Sequence, residues 1–329
     1  MYAEFYKLAT RPFQLTPEAR FFFESSVHRR AMAYLVYGLH HAEGFIIITG
    51  EVGAGKTILV DNLLATISPE SFVAAKIVTS QLGGDDLLHL VAGGFGIAKE
   101  GLNKGSLLQR ISDFVLAQHR AGKRTLLIVD EAQNLSFEAL EELRMLSNIV
   151  VDKTMALQSF LLGQPQFRTT LGSPELEQLR QRVTAAYHLG PLNEAETRAY
   201  IEHRLRRAEW KGDPHFTEAA FPVIYQHTEG VPRRINTLCS RLLLNGFLEQ
   251  LHTMTASAVE KVANDLREEI AVVTPPATAE ARSEPTNASH GLSLVIERLA
   301  QLEKSVEKHE RLIRRAIEIA AHFFQGERT

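Results

Sequence analysis

Gly50-Glu51-Val52-Gly53-Ala54-Gly55-Lys56-Thr57 has a spacing that phosphate chemistry demands. A backbone that wraps triphosphate oxygens with its N–H groups leaves no room for side chains at the tightest points, so glycines recur there. Lys56 would reach the β- and γ-phosphates, and Thr57 would ligate magnesium. The phosphates also gain from unpaired donors and the dipole at the start of the following helix. Taken alone, the loop leaves kinase, GTPase and transporter chemistry open.

A second group narrows that choice. Leu126-Leu127-Ile128-Val129 reads as a buried strand, and Asp130-Glu131 follows at its end. Beside a phosphate loop, the Asp holds the metal and the next acid polarises an attacking water for in-line displacement. The histidines show no metal-ligand spacing with Cys, Asp or Glu, so magnesium bound with the nucleotide is the one metal expected.

These residues need elements to hold them. Phe45-Ile46-Ile47-Ile48-Thr49 is a short apolar run that leads into the loop and reads as a buried parallel strand. Similar runs recur at 72–78, 126–129, 159–162 and 185–189. Strands separated by helical patterns imply an α/β fold with a five-stranded parallel sheet over 45–192. Residues 1–44 are aromatic-rich and turn helical from about Ser26, and are expected to pack on that core. From Glu194 four helical patterns follow one another, predicting a small all-helical domain over 193–270.

The composition then shifts. Residues 271–291 hold Pro275, Pro276 and Pro285 among Ala, Ser, Thr and Glu, which predicts a disordered linker. Leu292, Val295, Leu299, Leu302, Val306 and later positions step by three and four through 292–325. That spacing gives either a coiled-coil seam or one amphipathic helix that lies on another surface.

Together the glycine loop, Asp130-Glu131 and the trailing helices resemble an AAA+ ATPase, a P-loop NTPase whose strand order is 5-1-4-3-2. More narrowly, residues 6–23, His28 to Leu39, Asp130 to Leu135, Leu143 to Asn148, Gly163-Gln164-Pro165 and Gly230 to Asn236 resemble ATPases related to general secretion pathway protein A. The branch associated with exosortase (PEP-CTERM) sorting and exopolysaccharide loci is the nearest suggested. This resemblance spans residues 1–270 and implies ATP and Mg2+ as ligands. It implies Gln164 as a sensor between the carboxylates and the γ-phosphate. Arg182, or its neighbour Arg180, would be a finger reaching another subunit's nucleotide. Arg233, with Arg234 adjacent, would be the lid's γ-phosphate sensor. His28 is either a base contact or a helix-capping or core histidine.

A finger of that kind implies a homo-oligomer. The resemblance further implies ATP hydrolysis coupled to assembly or conformational work in a bacterial secretion, protein-sorting or exopolysaccharide export system. The C-terminal helix, outside that resemblance, is expected to dock a protein partner or a second copy. Transposition relatives share the same core, so a DNA-associated ATP switch is the alternative, and a slow regulatory nucleotide-binding module is a third reading. The net charge of −3 disfavours DNA, with Arg204, Arg206, Arg207 and Lys211 as the one candidate basic patch. Glu131 speaks against a purely regulatory module.

The bulk numbers set limits. At 45% hydrophobic and 23% charged, the 329-residue chain falls in the globular class rather than the disordered or fibrous ones. Cys239 stands alone and excludes an internal disulfide. With no signal-like start and no run near the roughly 18 apolar residues of a spanning helix, a cytoplasmic location is expected, peripheral to the inner membrane only through a partner.

Overall fold

The computed structural model describes residues 1–273, apart from residues 17, 42, 43, 80–82, 99, 100, 152 and 153. Five parallel strands make the sheet: β1 (Phe45–Gly50), β2 (Phe72–Val78), β3 (Arg124–Asp130), β4 (Leu157–Gly163) and β5 (Val183–Leu189). Their spatial order is β2-β3-β4-β1-β5, the 5-1-4-3-2 arrangement. β1 aligns Phe45 with Ser159 of β4 and Ile46 with Ala185 of β5. Parallel strands covered on both faces must be apolar along their whole length. Accordingly every residue of β1 and β4 is buried, whereas the edge strand β5 is exposed at alternate positions.

The period-two alternation of these strands divides the core. Ile47, Leu127, Val129 and Leu161 face α3 (Gly84–Gly94), α4 (Lys104–Arg120), α5 (Phe137–Leu146) and α6 (Gln166–Leu171), where Leu87, Ile111, Leu140 and Phe167 complete one cluster. Ile46, Ile48, Ile128 and Leu162 face the opposite way. They pack with Leu35 of α1 (Ser26–His41) and with Leu59 and Leu63 of α2 (Lys56–Thr66). A fully buried Leu of this kind contributes about 1.5–3 kcal/mol, so the sandwich is what fixes the strand ends in space.

Beyond β5 come α7 (Glu194–Arg207), α8 (Ala220–Thr228), α9 (Pro232–Leu248) and α10 (Ala256–Val273). Asn193 caps α7 through a capping box with Glu196. The same Glu196 carboxylate accepts a 2.7 Å bond from the Ser26 N–H, tying the start of α7 to the start of α1. The helices also include a two-residue parallel strand pair, His215–Phe216 with Thr253–Met254, too short to leave a periodic signal.

The opening segment departs from expectation. Tyr6 is buried and its hydroxyl donates to Leu251 O at 2.9 Å, Phe5 stacks on His252, and Ala9 N donates to Ala208 O. Tyr6, Phe5, Phe21 and Phe23 therefore pack on the helices after β5, whereas Phe22 packs on the sheet domain's core beside α1. Residues 271–273 end α10 rather than opening a linker. The rest of that linker and the 292–325 helix lie outside the described residues.

Candidate functional site

The five strands of the main sheet are parallel, so the loops at their C-terminal ends meet along one edge, the place where such sheets bind ligands. The phosphate loop leaves β1 there, Asp130 ends β3, and Gln164 follows β4, which lies between them in the sheet. Gly53 and Gly55 have φ of +83° and +99°, left-handed values that glycine adopts without strain. A Cβ at Gly53 would come within 2.1 Å of Arg233 Cβ, so the loop leaves no space on the lid side. Gly55 caps α2 with no side chain, leaving the first-turn N–H groups for an anion.

Lys56 is buried, and its ammonium donates to Gly50 O at 2.7 Å and Glu51 O at 3.0 Å. Burial lowers its pKa, opposed by the nearby Glu131, Asp130 and Glu51 carboxylates. The Thr57 hydroxyl donates to Asp130 Oδ2 at 2.8 Å. A hydroxyl and a carboxylate side by side are hard oxygen donors, as Mg2+ takes alongside waters and phosphate oxygens, so the pair fits that ion. Among the described residues no cluster of three or more His, Cys, Asp or Glu offers another metal site.

Glu131 sits in a left-handed conformation, φ 57° and ψ 39°, and its N–H donates to Asp130 Oδ1 at 3.0 Å. Its Oε2 accepts from Gln133 Nε2 at 2.6 Å and from Gln164 Nε2 at 3.2 Å. Partial burial acts to raise the Glu131 pKa, but the two amide bonds and the Lys56 charge outweigh it and hold the carboxyl below its ordinary range. Thr79, just past β2, fastens the turn by donating to Asp130 O and Glu131 O at 2.9 and 2.7 Å.

The lid touches the loop directly. Arg233 opens α9, its N–H donates to Gly53 O at 3.2 Å, and its exposed side chain lines the same cavity as Lys56, Thr57 and Glu131. Arg234 turns away to pair with Glu229. The cavity measures about 390 Å3, within the range of small-ligand sites, and Phe22, Phe23, Leu15 and His28 provide its apolar side. His28 is buried and bonds Ser25 Oγ at 2.7 Å through Nδ1. Burial lowers its pKa, partly offset by a bond to the Ala54 backbone and by Glu196. The ring thus braces the phosphate loop from below as well as lining the cavity.

Arg180 and Arg182 lie away from the cavity. Arg180 donates to Leu171 O and Ser173 O, while the half-exposed Arg182 donates to Ser147 Oγ at 2.8 Å. Arg204 is no part of a basic patch. It is 6% exposed, donates to Pro12 O at 2.6 Å and the Tyr200 hydroxyl at 2.9 Å, and stacks over Phe21 at 4.7 Å. Arg206 pairs with Glu202. The sequence pattern assigned nothing to Gln133 or Thr79 and placed Arg204 in a basic patch. Thr79 and Arg204 bond mainly distant main-chain atoms, and Gln133 joins its neighbour Glu131 to the distant Gln164 N–H, which no spacing reveals.

Residues 39–171 match the model of a family described as AAA domain. Over 269 residues the chain is 37% identical to general secretion pathway protein A of Aeromonas hydrophila, covering 81% of this chain and 48% of that protein. Over 190 residues it is 27% identical to Mu-like prophage FluMu DNA transposition protein B of Haemophilus influenzae, covering 56% of this chain and 62% of that one. The chain thus spans about half the length of the first relative and under two thirds of the second. Among solved structures, the ORC2 protein of Aeropyrum pernix in ADPNP–ADP complexes superposes with a TM-score of 0.58 at 17% identity, covering 78% of this chain and 71% of that one. The chain therefore has the P-loop AAA+ fold, its residues 39–171 match an AAA domain, and over 269 residues it is similar to general secretion pathway protein A.

Proposed function

We propose that this chain is a Mg2+-dependent ATP hydrolase that drives assembly or conformational work in a bacterial secretion, protein-sorting or exopolysaccharide export apparatus. The observation that carries the reading is one cavity edge where Lys56, the Thr57–Asp130 pair, Glu131 and Arg233 converge from loop, sheet and lid. Loop N–H groups and Lys56 would bind the phosphates. Thr57 and Asp130 would hold Mg2+, whose chemistry when bound is to neutralise charge on phosphate oxygens. Glu131 would take the proton of the attacking water, Gln164 would sense the γ-phosphate, and Arg233 would report its presence to the lid. The backbone bond between Arg233 and Gly53 supports coupling of nucleotide state to lid position.

Arg182 would act on a neighbouring copy's nucleotide, which makes the working form a homo-oligomer. Its side chain lies off this chain's own cavity, half-exposed, and donates to the Ser147 hydroxyl rather than to an ion-pair partner among the described residues, which supports recruitment in trans. The likeness to general secretion pathway protein A supports an export setting, and within that setting the exosortase-associated branch is our assignment. The location would be cytoplasmic, with membrane attachment through a partner bound by the C-terminal helix. Among the described residues no helix is long and apolar enough to cross a membrane.

The likeness to a DNA transposition protein keeps a second reading in view, although burial of Arg204 removes the centre of the basic patch it would use. ATP turnover with Mg2+, measured with and without duplex DNA, tests the choice. Turnover indifferent to DNA is expected, and stimulation by DNA at physiological salt would favour the second reading.

A further inference from the structure

We propose that Gln133 is a positioning residue for the reaction: its side-chain amide fixes the Glu131 carboxylate with one oxygen occupied and the other turned free for the attacking water. This rests on the hydrolytic reading above and adds a residue to it.

The geometry is specific. Gln133 Nε2 donates to Glu131 Oε2 at 2.6 Å, and Gln133 Oε1 accepts the Gln164 N–H at 2.9 Å. An amide has one donor end and one acceptor end, and both are used, so its orientation is set by the backbone that follows β4. Gln133 itself lies in the short 3-10 turn Ala132–Asn134, and Asn134 Nδ2 anchors that turn to Thr79 O at 3.1 Å. Gln164 places a second, longer bond on the same Oε2. The hydroxyl of Thr79, the residue that follows β2, donates to the main-chain carbonyls of Asp130 and Glu131, so among the described residues the side chains that hold the carboxylate are the two glutamines.

That division of labour has a consequence. If Gln164 turns to the γ-phosphate when nucleotide binds, Gln133 keeps the carboxylate in place, because its own anchor is the Gln164 main chain rather than its side chain. Glu131 would then be oriented throughout the cycle. The charged groups that face it are Lys56 and Asp130 nearby and Arg233 across the cavity, with the titratable His28 also in the lining. Positioning of a base to within an ångström commonly governs rate by factors of ten to about a hundred.

Two variants separate the donor from the acceptor. Gln133→Met removes both ends, whereas Gln133→Glu keeps an acceptor for Gln164 N–H and loses the donor. The full chain with each substitution is assayed for kcat and the KM for ATP. Backbone amide NMR of the Gln164 N–H in the absence of ATP supplies a readout that needs no hydrolysis. Both variants are expected to lower kcat by about ten- to a hundredfold with KM within about twofold, and Gln133→Met, which loses the acceptor, is expected to shift the Gln164 amide resonance more than Gln133→Glu does. A Gln133→Glu enzyme with wild-type kcat, a faster Gln133→Met enzyme, or a Gln164 amide unmoved in Gln133→Met would each overturn the proposal. Absence of turnover in the wild type would instead sink the hydrolytic reading and leave the Gln164 amide to decide on Gln133.

Discussion

Replacing Arg204 with methionine should loosen the nucleotide cavity from a point that touches no catalytic residue. Arg204 is a nearly buried cation that holds the opening segment to α7: it bonds Pro12 O at 2.6 Å, Tyr200 at 2.9 Å and Gln14 O at 3.4 Å, and lies over the Phe21 ring. Methionine keeps most of the apolar stem but none of the donors. The Tyr200 hydroxyl still donates to Asn236, so Pro12 O is the group left without its main partner. A bond from a charged donor contributes about 1.5–3 kcal/mol and the stacked guanidinium about 0.5–2 kcal/mol more. The expected loss is about 2–5 kcal/mol, the two contributions together. Because Gln14, Leu15, Thr16 and Phe21 line the cavity, nucleotide affinity should fall with it. Urea unfolding followed by near-UV circular dichroism measures the first effect, and titration with a fluorescent ATP analogue the second. A stability change below about 1 kcal/mol with unaltered affinity would refute the assigned role, since a mere surface arginine would behave so.

Three further outcomes follow from the geometry. Gly53→Ala puts a Cβ into a left-handed position and 2.1 Å from Arg233 Cβ, so ATP binding should weaken more than tenfold at a cost of about 1–3 kcal/mol in stability; calorimetric titration and thermal melts check both. Arg182→Ala should bind ATP normally yet lose about a thousandfold in turnover, the lower range for an arginine finger. Mixing it with Glu131→Gln subunits should restore activity at the intact interfaces, while Arg180→Ala, whose guanidinium serves local carbonyls, should stay near wild type. On the acid side, Glu131 is held below its ordinary pKa, so it stays ionised and turnover persists until the pH falls through that depressed value; a pH–rate profile that collapses above the normal carboxylate range would contradict this.

Much of the sheet was legible because its signal is local. Phe72–Val78 was read to the residue, and the other four runs fell inside β1, β3, β4 and β5, short by one to three residues where polar Arg124, Thr125 or Gln158 interrupts the apolar pattern. Helices α9 and α10 announced themselves through Pro232 and an unbroken amphipathic period. The phosphate loop, Thr57 and Asp130 were legible for another reason: backbone geometry around a phosphate constrains which residues can stand there. What stayed hidden was long-range. Arg204 and Pro12 are 192 positions apart, and nothing in Arg204's own surroundings, rich in Arg and Glu, marks it as buried. The opening aromatics were plainly destined for burial, but pattern alone could not say which surface would receive them. Gln133 looked like one polar residue in a strand-end turn, and its value lies in a bond to Gln164 that only the sheet order creates.

The central claim is hydrolysis of ATP at this loop with Glu131 as the base, and steady-state turnover of Glu131→Gln beside wild type tests it most directly. The amide keeps the size of the carboxylate but cannot take a proton. Mg2+-dependent turnover is expected in the wild type, and in the variant ATP affinity within a few-fold of wild type with turnover reduced at least about a hundredfold. Equal turnover in the two proteins would contradict it.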